Sequence, residues 1–85
     1  MATKVKSVEH LKEILSKSDG RDFFIQLNFG ARSSKFMTWD DGENIFYVLN
    51  YIDDSEQELT EEMLMDRDYT NIGYAIQVGA FYLDD

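Results

Sequence analysis

The sequence predicts an α+β fold: an antiparallel β-meander of about four to five strands, with one N-terminal and two short C-terminal helices packed on one face. Three observations predict it. Apolar residues recur at helical spacing near the start and then switch to strict alternation. The alternating runs are joined by turns too short for anything but antiparallel neighbours. Two further short segments near the end open on helix-capping residues.

Ser7 reads as an N-cap, followed by Val8, Leu11, Ile14 and Leu15. On a helical wheel these four span about 120°, a one-sided apolar stripe. They predict a helix over about Val8–Lys17, with Gly20 as the stop. Asp22 to Phe29 alternates, with Phe23, Ile25, Leu27 and Phe29 on one side and Phe24, Gln26 and Asn28 on the other. Gly30 ends this strand. A second strand is predicted over about Lys35–Trp39. Asp40-Asp41-Gly42-Glu43 forms a turn around its Asp-Gly pair. The third strand covers about Asn44–Ile52, grouping Ile45, Tyr47 and Leu49 on one face. A turn at Asp53-Asp54-Ser55 leads to a short fourth strand at Gln57-Glu58-Leu59.

Thr60 caps a helix over Glu61–Met65, whose first-turn acids suit the helix dipole. Thr70 or Asn71 caps another over Ile72–Val78, stopped by Gly79; Gly73 weakens its intrinsic propensity. Ala80-Phe81-Tyr82-Leu83 returns as an edge strand, a surface through which two copies could pair.

Eighty-five residues fit one domain. The chain is 44% hydrophobic and 14% aromatic, which argues against disorder. With no cysteine, disulfides, thiolate metal sites and a cysteine nucleophile are excluded, and a reducing cytoplasm is the expected setting. No apolar run reaches the roughly 20 residues that span a bilayer, so no membrane partner is expected.

The net charge of −9 is unevenly divided: residues 1–35 carry +3 and residues 36–85 carry −12. Between Asp53 and Asp68 eight carboxylates face only Arg67. Such a field argues against nucleic acid as a partner and for a basic or polar protein surface.

No catalytic, cofactor or metal residue is assigned. His10, the only histidine, lies at the rim of the apolar stripe with no triad or ligand partners in the pattern. The oxygen-rich loops at Asp40–Asn44 and Asp53–Glu56 do not match the EF-hand pattern and suit turn chemistry. Glycine-rich phosphate motifs are absent. The candidate partner-binding residues are the basic turn, Arg32, Ser33, Ser34 and Lys35, and the acidic set Asp53, Asp54, Glu56, Glu58, Glu61 and Glu62. The basic turn also has the donors to hold a phosphate or carboxylate.

Three stretches, Gly30–Lys35, Ile52–Thr60 and Thr70–Ala80, together resemble a group of small acidic proteins encoded by bacterial phages and mobile elements. The resemblance implies a genomic setting and no activity. The functional expectation is a non-enzymatic protein-interaction module. The alternatives are an acidic DNA mimic that inhibits a nucleic-acid-binding host protein, and a small hydrolase or ligand-binding domain.

Overall fold

The computed structural model describes residues 2–27 and 32–85. Six strands form one antiparallel sheet: β1 (Ala2–Lys4), β2 (Phe23–Leu27), β3 (Lys35–Asp40), β4 (Ile45–Asn50), β5 (Ser55–Thr60) and β6 (Phe81–Asp84), in the order β1-β6-β2-β3-β4-β5. Among the described residues three helices accompany these six strands: α1 (Val8–Ser16), α2 (Glu61–Met65) and α3 (Ile72–Gln77). The α+β class and the β2–β5 meander are as the sequence predicts.

The strand count is higher, and β6 is not an edge. It lies between β1 and β2, pairing Leu83 with both Thr3 and Ile25. The reason is burial. Phe81 and Leu83 are almost wholly enclosed, and β1 covers the side that the sequence left open. Ala2-Thr3-Lys4 gives no warning, since all three are exposed and the strand exists through pairing alone. β6 therefore has no open edge through which Phe81–Leu83 could pair with a second copy. The predicted end of the first long strand at Phe29 and its Gly30 stop lie outside the described residues.

Among the described residues, the core side chains of the sheet project from one face. Phe23, Ile25, Met37, Phe46, Val48, Leu59, Phe81 and Leu83 meet Leu11 and Leu15 of α1, Leu64 of α2, and Ile72, Ala75 and Ile76 of α3. On β4 the grouped residues Ile45, Tyr47 and Leu49 turn out to be the outward set, while Phe46 and Val48 are buried. Both phases of β4 are apolar, so alternation could not choose between them. Register does: Met37 stands opposite Val48, and Trp39 opposite Phe46, on the helix side.

Local chemistry fixes the helix ends. The His10 amide donates to Ser7 Oγ at 3.0 Å, and His10 Nδ1 accepts from the Lys6 amide at 3.1 Å. This reciprocal arrangement resembles a capping box and gives the lone histidine a structural task. The Met63 amide donates to Thr60 Oγ1 at 3.2 Å at the start of α2. At α3 the hydroxyl of Thr70, not the side chain of Asn71, receives the Ile72 amide, at 3.1 Å. Gly73 allows α2 and α3 to touch: a Cβ there would lie 2.7 Å from Met65 Cα. Gly79, at φ 73°, ends α3 in the left-handed region.

The turns rest on Asx chemistry. Asp40 Oδ1 accepts from the Gly42 amide at 2.9 Å, and Asn44 at φ 56° takes the left-handed position. The next turn repeats this: Asn50 Oδ1 accepts from Ile52, Asp53 Oδ1 from Ser55, and Asp54 is left-handed at φ 57°. Among the described residues, no helix is long and apolar enough to cross a membrane.

Candidate functional site

Every helix lies on one side, and none of the described residues forms a layer over the other sheet face. Cross-strand register lays out its contents. One row runs Phe24–Phe36–Leu49–Glu56, and the next runs Thr38–Tyr47–Glu58. Ile45 and Thr60 continue it toward Asp40. The centre of this outer face is thus apolar and aromatic, and its β5 margin is acidic.

The aromatic residues form a cluster. Phe24 meets Phe36 edge-on at 5.7 Å between ring centroids and Tyr51 at 5.8 Å. The Arg32 guanidinium lies over the Phe24 ring at 4.6 Å. Tyr51 remains 58% exposed and its neighbour Ile52 73% exposed, far more than large apolar side chains usually are. Beside the cluster, a depression of about 150 Å³ opens between Phe36, Leu49, Tyr51 and Asp54.

Carboxylates border this field. Glu56 and Glu58 stand directly opposite Leu49 and Tyr47. Burial and then Glu58, Glu43, Asp40 and Glu56 together hold the Tyr47 phenol above its ordinary pKa. That is the electrostatic signature of an apolar field inside an acidic frame.

The predicted acidic set divides. Asp54, Glu56 and Glu58 share the outer face and its β5 corner, with no hydrogen bond or ion pair among the described residues. Asp53 serves its own turn. Hydrogen bonds from the Ser55 hydroxyl and amide, with a smaller push from Lys35, hold its carboxyl below the usual value. Glu61 is paired with Lys12 of α1 at 2.5 Å. That contact, ahead of weaker help from Glu9 and against burial, raises the Lys12 pKa. Lys12 also lies 5.7 Å from the Trp39 ring, so this is an internal clasp on the helix side. Glu62 is exposed in the first turn of α2, apart from the β5 row.

The basic turn also divides. Arg32 goes to the outer face. Lys35 shares the phase of buried Met37 and lines a cleft of about 280 Å³ on the helix side, with Val48, Gln57 and Thr70. The hydroxyl of Ser33 accepts from the Lys35 amide at 3.2 Å, and the Ser33 amide donates to the Ile25 carbonyl at 2.9 Å. The Ser34 carbonyl receives the Tyr51 amide at 3.2 Å. The two cations therefore diverge and do not converge on one anion.

The 280 Å³ cleft lined by Lys35 contains no carboxylate, a smaller depression sets Lys35 beside the exposed Glu56, and no Asp or Glu is buried among the described residues. Arg32 points away from it. The convergence of a buried acid with Arg32, which a small hydrolase would need, is not formed by these residues. Nor do three or more His, Asp or Glu side chains among the described residues gather where a metal could be held.

The outward residues Phe24, Phe36, Leu49 and Tyr51 are absent from the sequence-based candidates. Their signal was present: β2, β3 and β4 each place large apolar side chains in both phases of the alternation, which one buried face cannot use. Comparisons with protein-family models, curated proteins and solved structures return no match for this chain.

Proposed function

We propose that this protein is a non-enzymatic interaction module whose uncovered sheet face meets a basic, partly apolar protein surface. The observation that carries the reading is the aromatic cluster of Phe24, Phe36 and Tyr51 inside a frame that includes Asp40, Asp54, Glu56 and Glu58. Apolar centres with charged rims are the usual anatomy of protein interfaces. The acidic frame selects a cationic partner and speeds its approach. A cysteine-free chain suits a partner in the cytoplasm. The resemblance to proteins of phages and mobile elements agrees with a host or element-encoded partner.

The second reading, an acidic mimic of DNA, draws on Asp54 in the turn before β5 and on Glu56 and Glu58 within it, acids at every second position. Salt separates the two. A mimic binds through charge alone and loses affinity steeply as salt rises, whereas an apolar-centred face keeps most of its affinity.

Affinity capture from a lysate of the producing cells, followed by a salt series on the purified complex, tests the proposal. The wild type should retain a protein that Glu56→Gln/Glu58→Gln retains weakly. Identical or empty captures for the two forms contradict it.

A further inference from the structure

The depression beside the aromatic cluster is small and specific in its chemistry. Its volume, about 150 Å³, is below the roughly 300–1,000 Å³ of small-molecule sites and fits a single side chain. Phe36, Leu49 and Tyr51 give it apolar walls, Asn50 and Ser55 complete its polar side, and Asp54 gives it an acidic edge. Glu56, opposite Leu49, adds a second carboxylate nearby. An aliphatic or aromatic anchor would make no use of the exposed Asp54 carboxylate at its edge. A lysine would satisfy the charge but leave the ring faces poorly used. An arginine does both, because its planar guanidinium stacks on aromatic rings and its fork matches carboxylate oxygens. The cluster already shows this preference internally, holding Arg32 over Phe24 at 4.6 Å.

We propose that the depression formed by Phe36, Leu49, Tyr51 and Asp54 is an anchor pocket for one arginine side chain of the partner protein. This rests on the interaction reading above and names the contact that would give it specificity. Arginine and aromatic anchors are the residues that most often dominate binding at protein interfaces. A second copy of this chain is a poor occupant of the same face. Two acidic frames would be brought together, and like charges in close contact are strongly unfavourable.

The test is a titration of the isotope-labelled full chain, followed by two-dimensional nitrogen–proton NMR. The probe is a capped Gly-Leu-Arg-Leu-Gly peptide. The controls carry Lys or Glu in place of its Arg. The Arg peptide should shift amides of Phe36, Leu49, Tyr51, Asp54 and Ser55 and bind about tenfold or more tightly than the Glu peptide, as expected for a charge pair combined with cation–π contact. The Lys peptide should fall between them. Two variants keep the fold intact: Tyr51→Ser at an exposed position, and Asp54→Asn, whose asparagine accepts the left-handed backbone. Each should weaken the Arg peptide several-fold. The assignment is overturned by no shifts at millimolar peptide, by shifts centred on the Lys35 cleft or the helices, by equal binding of Arg and Glu peptides, or by unchanged affinity in both variants. In each of those cases a partner captured from lysate would still support an interaction module, so the two claims fail separately.

Discussion

Replacing Gly73 with alanine pits two effects of opposite sign against each other. Helix propensity alone predicts a gain of about 1 kcal/mol, because glycine is the weaker residue in a helix interior. Packing predicts a loss. The added Cβ would lie 2.7 Å from Met65 Cα, 2.9 Å from Met65 Sδ and 3.0 Å from the Leu64 carbonyl oxygen. Optimal carbon contacts are about 3.5–4.0 Å, so the methyl intrudes by roughly 1 Å. The sulfur can rotate away, but Met65 Cα and the Leu64 carbonyl belong to the α2 backbone and move only if α2 and α3 separate. Leu64 and Ile76 are buried between those helices and the sheet, so separation also opens the core. Overpacking of this kind costs about 1–3 kcal/mol or more. Because the closest clash is with backbone, the loss lies at the upper end of that range, about 2–3 kcal/mol, leaving a net destabilisation of about 1–2 kcal/mol. For a chain of this length that is a fall in Tm of roughly 5–15 °C. Urea unfolding followed by fluorescence of Trp39, the only tryptophan, reports it directly. Gly42→Ala is the control, since its Cβ meets only the flexible Asp40 carboxylate at 3.3 Å. A Gly73→Ala protein as stable as wild type, or more so, would refute the close packing of α2 on α3.

Other consequences follow from the same contacts. Thr60→Ala removes the α2 cap and should destabilise by about 1 kcal/mol, with Thr60→Ser retaining most of the stability. Lys12→Met keeps the aliphatic stem but loses the Glu61 pair, and should lower stability by about 0.5–1 kcal/mol at low salt and by less at high salt. The pKa values of Lys12 and Tyr47 are both raised on folding, so both contributions are complete below the unfolded values and are lost as pH climbs through the folded ones. Stability should therefore fall with rising pH above about 10, and the fall should be shallower in Lys12→Met/Tyr47→Phe, as measured by urea midpoints across pH. Asp53 works in the opposite sense. Its lowered pKa contributes stability above the unfolded value that is lost as pH falls through the folded one, and Asp53→Asn should flatten that acid limb.

Elements with one strong local cause were legible in the sequence. Val8, Leu11 and Leu15 define α1 by period alone, and Thr60 and Gly79 mark helix ends through capping and left-handed backbone. The meander follows from turns that only antiparallel strands can use. What was not legible depends on distant partners. β1 has no apolar pattern and is a strand only because β6 needs a second neighbour. The buried phase of β4 is set by register with β3, since both of its faces are apolar. The same limit applies to the candidate surface. Local sequence grouped Arg32 with Lys35 and Glu58 with Glu61, but adjacent strand residues point to opposite faces, and Glu61 begins a helix. Arg32 and Glu58 lie on the outer side, whereas Lys35 and Glu61 belong to the helix side. The charge asymmetry keeps a narrower meaning. Asp40, Asp53 and Asp66 hold turns, Glu61 clasps α1, and Asp54, Glu56 and Glu58 remain to frame the outer face.

Site-specific photo-crosslinking in the producing cells distinguishes the outer sheet face from the helix side as the docking surface. A benzophenone amino acid placed at Tyr51 samples the outer face, and one at Tyr74, also exposed, samples the helix side. A discrete crosslinked protein is expected from position 51 and none from position 74. A crosslinked protein from position 74 alone, or from neither position, would contradict docking through the outer face.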